Sequence, residues 1–171
     1  MKTILLILFP ILIYSQSSLE IGITQDARLL LLGDDKGNDA GTLNTVINFN
    51  MQGKQFEYYY FAISPQFEFA NLKDNYYRYS VNGIWTFNRL IIRNFEAGIG
   101  IGAGIIHRDN LNIRGQLSYS LTGELSYVLN DNLKLTTKYE LVKRSDLEVL
   151  YNDKGLKPNF YIGLKYKILN N

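Results

Sequence analysis

The chain has no cysteine, one histidine, one tryptophan and three prolines. Without a thiol there is no disulfide framework, thiolate nucleophile, thiolate metal site or lipid-bearing cysteine. A single histidine leaves carboxylates as the main metal ligands, so no cofactor is expected. Charge of one sign is scarce as well: 18 basic and 16 acidic residues give a net +2, and the Lys and Arg are scattered, which argues against a nucleic-acid partner. Beyond the first residues no long apolar run occurs, and no long window repeats apolar residues at i, i+3, i+4 and i+7. Helical membrane spans and helical bundles are excluded on that ground.

What the chain does have is aromatic side chains: 13 Tyr and 9 Phe among 171 residues. Large flat side chains pack well on a pleated surface and favour strands. The length suits one domain. The start, "MKTILLILFPILIYSQSS", places Lys2 before an apolar run from Ile4 to Tyr14 and then small polar residues. The run is about half the roughly 20 residues a spanning helix needs, so residues 1–15 read as a secretory signal peptide, cut near Ser15 and Gln16. Residues 16–171 then form the mature domain, which loses one base, Lys2, and keeps 17 basic and 16 acidic residues.

Period two runs through that domain. Leu19, Ile21, Ile23, Ala27, Leu29 and Leu31 share the face of a first segment, and Leu43, Thr45, Ile47, Phe49 and Met51 that of a second. In the third, Phe56, Tyr58, Tyr60 and Ala62 share a face until Ser64-Pro65, after which Phe67 and Phe69 carry the opposite parity. A proline with a parity change predicts a bulge or bend. Five further faces follow, led by Tyr77, Phe95, Leu111, Leu133 and Phe160. Polar connections such as "GDDKGNDAG" (33–41) and "YNDKGLKP" (151–158) alternate with tight ones such as "QGK" (52–54) and "NDN" (130–132). Eight strands in an up-and-down meander result, and closure leaves no free edge.

Alternation alone does not say which face meets water, because soluble and membrane barrels both alternate. The polar face decides. In "IRGQLSYSLTGELSYVLND" (113–131) it is mainly Ser, Thr, Gln and Asn, and in the fifth segment it is Glu96 with Gly98, Gly100, Gly102 and Gly104. Small groups suit a crowded interior better than a solvated surface. Several segments reach the about 9–11 residues of a membrane strand, and Tyr, Trp and Phe near their ends supply interfacial girdles. The expected fold is therefore all-β, an eight-stranded antiparallel up-and-down transmembrane β-barrel.

With the leader, the eight alternating segments, the long-loop and short-turn rhythm and the final "FYIGLKYKI", the chain resembles small outer-membrane β-barrel proteins of the OmpX and opacity type, in the style found in Bacteroidota. The resemblance implies a Gram-negative outer-membrane location, contact with lipid and lipopolysaccharide, and insertion by the barrel assembly machinery, which reads the last strand. Phe160, Ile162, Leu164, Tyr166 and Ile168 match that strand's spacing, although it ends in Ile with three residues after it.

With even positions facing inward in most strands, the lumen receives Glu20, Asp26, Arg28, Arg78, Glu96, Arg114, Glu124, Lys134, Lys138 and Glu140. An eight-stranded barrel is only wide enough for side chains to fill, so these charges are expected to pair as a plug rather than line a pore. His107 lies beside Asp109, yet Ser118 and Ser120 fall on the inward face, so no catalytic triad is expected. "GIGIGAG" (98–104) lacks the Lys-Ser/Thr ending of a phosphate loop. Asp34, Asp35, Asn38 and Asp39 lack the spacing of a calcium loop and read as a solvated acidic turn that engages divalent-bridged lipopolysaccharide.

The partner-binding candidate is the last outer loop. Leu147, Val149 and Tyr151 continue the alternation of the seventh segment, so this hairpin is expected to project outward and offer an edge to a surface protein. The expected role is that of a monomer acting in envelope structure, adhesion or binding. An outer-leaflet lipid hydrolase built around His107 and a soluble lipocalin-like carrier stand as the competing readings.

Overall fold

The computed structural model describes residues 18–34, 37–72, 75–88, 94–109 and 113–170. The expected signal peptide, residues 1–15, lies outside the described residues. Eight strands form a closed barrel: β1 (Ser18–Asp26), β2 (Asn44–Gln52), β3 (Tyr59–Ala70), β4 (Tyr76–Asn88), β5 (Phe95–Arg108), β6 (Ile113–Val128), β7 (Leu133–Lys143) and β8 (Leu156–Asn170). Each pairs antiparallel with the next, and β1 pairs with β8 to close the wall. The architecture is the eight-stranded up-and-down barrel that the alternation predicts.

Two short helices sit at the end where the longer loops gather, α1 (Ala27–Leu31) and α2 (Ser145–Tyr151). The first ends β1 earlier than expected. The Asp26 carboxylate accepts the backbone N–H groups of Arg28, at 2.9 Å, and of Leu29, so the chain turns into a capped helix rather than extending to Leu31. Arg28 is accordingly exposed on α1, outside the lumen where even parity predicts it.

The expected bend at Pro65 is absent. Asn48 pairs with Gln66 and Met51 with Ile63, the same register on both sides of the proline, and Pro65 itself lies opposite Val81. Pro65 withholds one ladder donor without shifting the strand. Inward parity therefore runs unbroken through Tyr60, Ala62, Ser64, Gln66 and Glu68, all buried. "QGK" is likewise no tight turn: β2 ends at Gln52 and β3 begins at Tyr59, with the Gly53 N–H on the Phe61 carbonyl at 2.9 Å. "NDN" does turn tightly, because the Asn130 side chain accepts the N–H groups of Asn132 and Leu133.

The barrel is turned inside out relative to a soluble fold. Outward positions carry Ile23, Phe49, Trp85, Ile101, Leu117, Leu125 and Leu164, all exposed, with aromatic contacts across the wall at Phe61–Trp85 (4.9 Å) and Phe67–Tyr79 (5.1 Å). Inward strand positions hold buried charges, among them Glu20, Glu68, Arg78, Lys138 and Glu140. The glycines of β5 let neighbours fold over them: a Cβ at Gly102 would come within 2.8 Å of Ser120 Oγ and 2.6 Å of Asn82 Cγ. They make room inside the barrel and do not form a phosphate loop.

Candidate functional site: a plugged interior and its outer lid

Because successive strand side chains alternate sides, barrel closure brings the inward groups of distant strands together. At the inner end, near the 130–132 turn, Lys134 of β7 reaches Glu20 of β1 and Glu96 of β5, each at 2.8 Å. Tyr60 donates to the same Glu96 oxygen at 3.2 Å, and Lys165 of β8 pairs with Glu124 of β6. In the middle, Arg78 lies 2.9 Å from Glu140 and 3.5 Å from Glu68, while Lys138 holds the other Glu140 oxygen at 3.2 Å. Tyr161 donates to Glu68 at 2.9 Å and lies 4.5 Å beneath the Lys138 ammonium. Arg78 and Glu140 are 1% and 0% exposed, so this tier is shielded from water.

The outer tier is built differently. Arg108 of β5 donates to Asp146 at 2.8 Å, and Arg144 grips both oxygens of the same carboxylate at 2.8 Å. The Arg144 guanidinium also lies 3.9 Å over the Tyr76 ring. Asp146 belongs to α2, so these bonds pull the helix into the barrel mouth as a lid. Burial raises the Asp146 pKa, but hydrogen bonds and charge from Arg144, then Arg108, outweigh it and hold the carboxyl below its usual range. Ser145 fastens the lid to the wall through the Leu117 carbonyl, and Asn152 ends the helix in the left-handed region at φ 52°.

Of the ten expected lumen charges, Glu20, Asp26, Arg78, Glu96, Glu124, Lys134, Lys138 and Glu140 stand inside the wall. Arg28 does not, and the side chain of Arg114 lies outside the described residues. Five further charges, Glu68, Arg108, Arg144, Asp146 and Lys165, are also buried in the interior. Glu68 lies between the outward Phe67 and Phe69, so it is legible from even parity. Lys165 sits at an odd position, legible because its neighbours Leu164 and Tyr166 face out. Arg108 follows the even parity of β5. Arg144 and Asp146 lie past the end of β7, where no period carries a signal.

The last outer loop departs most from expectation. Leu147, Val149 and Tyr151 do not extend strand seven, since the β7–β8 pairing ends at Lys143–Leu156 and the segment between coils into α2. Leu147 is buried under the lid, whereas Val149 and Tyr151 remain exposed on a helix rather than along a free strand edge.

His107 faces outward, its Nδ1 accepting the Gly115 N–H at 3.4 Å and its ring edge-on to Tyr79. Ser118 and Ser120 are buried on the other side of the wall, so neither shares a surface with it. In the acidic loop the Asp34 oxygens accept the backbone and side-chain N–H groups of Asn38, a turn-forming role. Asp35 lies outside the described residues. Among the described residues no group of three or more His, Asp or Glu is placed to hold a metal ion.

The fold and this interior define a class: closed eight-stranded antiparallel barrels with apolar walls and a charged, filled core. Known family profiles and curated protein sequences give no match. Among solved structures, Ail of Yersinia pestis in a phospholipid bilayer nanodisc is similar, with a TM-score of 0.55 and 15% identity over 90% of this chain and 99% of that one. Its crystal structure aligns with a TM-score of 0.54 at 15% identity, over 90% and 99% of the two chains. The Neisserial surface protein A aligns over 88% and 94% at 8% identity, with a TM-score of 0.49. Ail shares the fold of this chain.

Proposed function

We propose that this chain is an outer-membrane β-barrel protein, neither a porin nor an enzyme, whose interior is a structural plug and whose outer loops act in envelope structure, adhesion or binding. The observation that carries the reading is the partition of side chains, apolar and aromatic outside, charged and paired inside. A soluble carrier requires the reverse. In lipid the backbone has no water to bond, and a closed barrel is the β solution to that constraint. Its partners are then outer-membrane lipid and lipopolysaccharide, the barrel assembly machinery acting on the last strand, and a surface protein engaged by the loops of a monomer.

Gel mobility of cell envelopes with and without boiling in detergent tests the location. The expected result is a heat-shifted band confined to the outer-membrane pellet; an unshifted protein in the soluble fraction overturns the reading. Planar bilayers containing the protein are expected to show no stable conductance steps, since the middle tier is shielded from water. Ail is by name an attachment invasion locus protein, and likeness of fold supports an adhesive role here only as a proposal. Its handle on this chain is the exposed pair Val149 and Tyr151: the double substitution to serine is expected to abolish surface adhesion while the heat-shifted band persists. Unchanged adhesion removes α2 from the binding surface.

A further inference from the structure

We propose that α1 is a lipid-inserted turn whose leucines complete the apolar belt above a short strand and contact acyl chains of the outer leaflet. The inference rests on the membrane reading above. It starts from an uneven wall. Asp26, the last residue of β1, pairs with Tyr161, but β8 runs on from Phe160 back to Leu156 and stays paired with β7 as far as Lys143. At about 3.3 Å per residue and a tilt of roughly 40°, the part of β8 without a β1 neighbour spans about 12 Å of barrel height. β8 thus rises past a step where β1 stops, level with the start of β2 at Asn44.

The helix sits at that step. α1 packs on β8 and β1, burying Ala27 and Leu29. Its other face leaves three consecutive leucines uncovered: Leu30, Leu31 at 70% and Leu32 at 80% exposure. Leu43, just before β2, is exposed as well, and Phe160 and Ile162 continue the apolar surface on β8. The leucines therefore stand on a helix in contact with β8, whose outward residues are apolar, and Leu43 lies between that helix and β2. Below the step the outward pair Gln25 and Thr45 hydrogen bond to each other at 2.8 Å, as polar side chains facing hydrocarbon must. Beyond it the chain turns polar at Asp34, Asn38 and Asp39, and the Gly41 N–H folds back to the Leu30 carbonyl at 2.9 Å. That sequence of surfaces, self-paired polar groups, leucines and then acids, matches the passage from hydrocarbon to headgroup.

A lack of cysteine makes the test direct. Single cysteines at Leu31, at Ile101 of the belt and at Asp39 of the loop are each spin-labelled in the full barrel, reconstituted in phosphatidylcholine vesicles. Collision with oxygen and with a water-soluble nickel chelate is then read by electron paramagnetic resonance. Labels at 31 and 101 are expected to favour oxygen, and the label at 39 the nickel complex. A label at 31 open to nickel while 101 favours oxygen overturns the role of α1 and leaves the membrane reading standing. Nickel access at 101 overturns both. A label at 31 shielded from both reagents as protein density in the vesicle rises also overturns the proposal, because a second copy then covers the patch. Leu32→Cys repeats the experiment if labelling at 31 disturbs folding.

Discussion

The two ends of the interior solve the same electrostatic problem with different material. At the inner end every charged group rides on a strand: Lys134, Glu20, Glu96, Lys165 and Glu124 meet because β7, β1, β5, β8 and β6 close into one wall. At the outer end Arg108 also rides on a strand, but the carboxylate it needs arrives on α2, outside the ladder. The inner cluster can come apart only when the barrel does. The outer one depends on a helix outside the ladder, so it is expected to open while the barrel stays closed.

The largest effect should come from the tier between them. Glu140→Ala leaves Arg78 and Lys138 without their shared carboxylate in a buried site, a loss of about 3–5 kcal/mol, read as an earlier urea unfolding midpoint followed by Trp85 fluorescence. Lys134→Met removes the cation that Glu20 and Glu96 share at the inner end. Glu96 keeps 15% exposure, so the global loss should be smaller, about 2–3 kcal/mol. Asp146→Ala should separate the two ends cleanly. Arg108 and Arg144 lose the carboxylate they share, protease is expected to cut within 145–155, and the unfolding midpoint to move little. A midpoint shift as large as that of Lys134→Met would show that lid and wall are one cooperative unit.

Acid should act on the same contrast more gently. The Asp146 pKa is depressed in the folded protein, so its contribution is fully present above the ordinary value of 3.8 and is lost as pH falls through the lower folded value. Hydrogen exchange at α2 amides, corrected for intrinsic rates, is expected to accelerate in that window before strand amides do. The smallest change is expected from the Val149 and Tyr151 serine variants, within about 0.5 kcal/mol of the parent, because both side chains are exposed.

The inner cluster was almost wholly legible. Glu20, Glu96, Glu124 and Lys134 follow even parity on strands whose apolar neighbours mark the opposite face, and Lys165 follows the same logic in odd register. Failures came where the ladder ends or falters. Pro65 reads as a break because Tyr60 and Ala62 are apolar yet face inward, in line with Phe56 and Tyr58, which precede β3. Arg28 and Leu147 look like strand residues by parity, yet each lies beyond the last ladder pair, where a helix bonds its own backbone and a strand would have no partner.

By itself, the sequence determined that this chain is a barrel and which way most of its wall faces, since a period of two commits every side chain to a side and small polar groups on one face have to be enclosed. Only the tertiary structure decided where each strand stops, which charges across the lumen meet, and that the outer mouth is shut by Asp146. Those outcomes depend on register and closure. Both are relations between residues far apart in the chain, which local alternation does not encode.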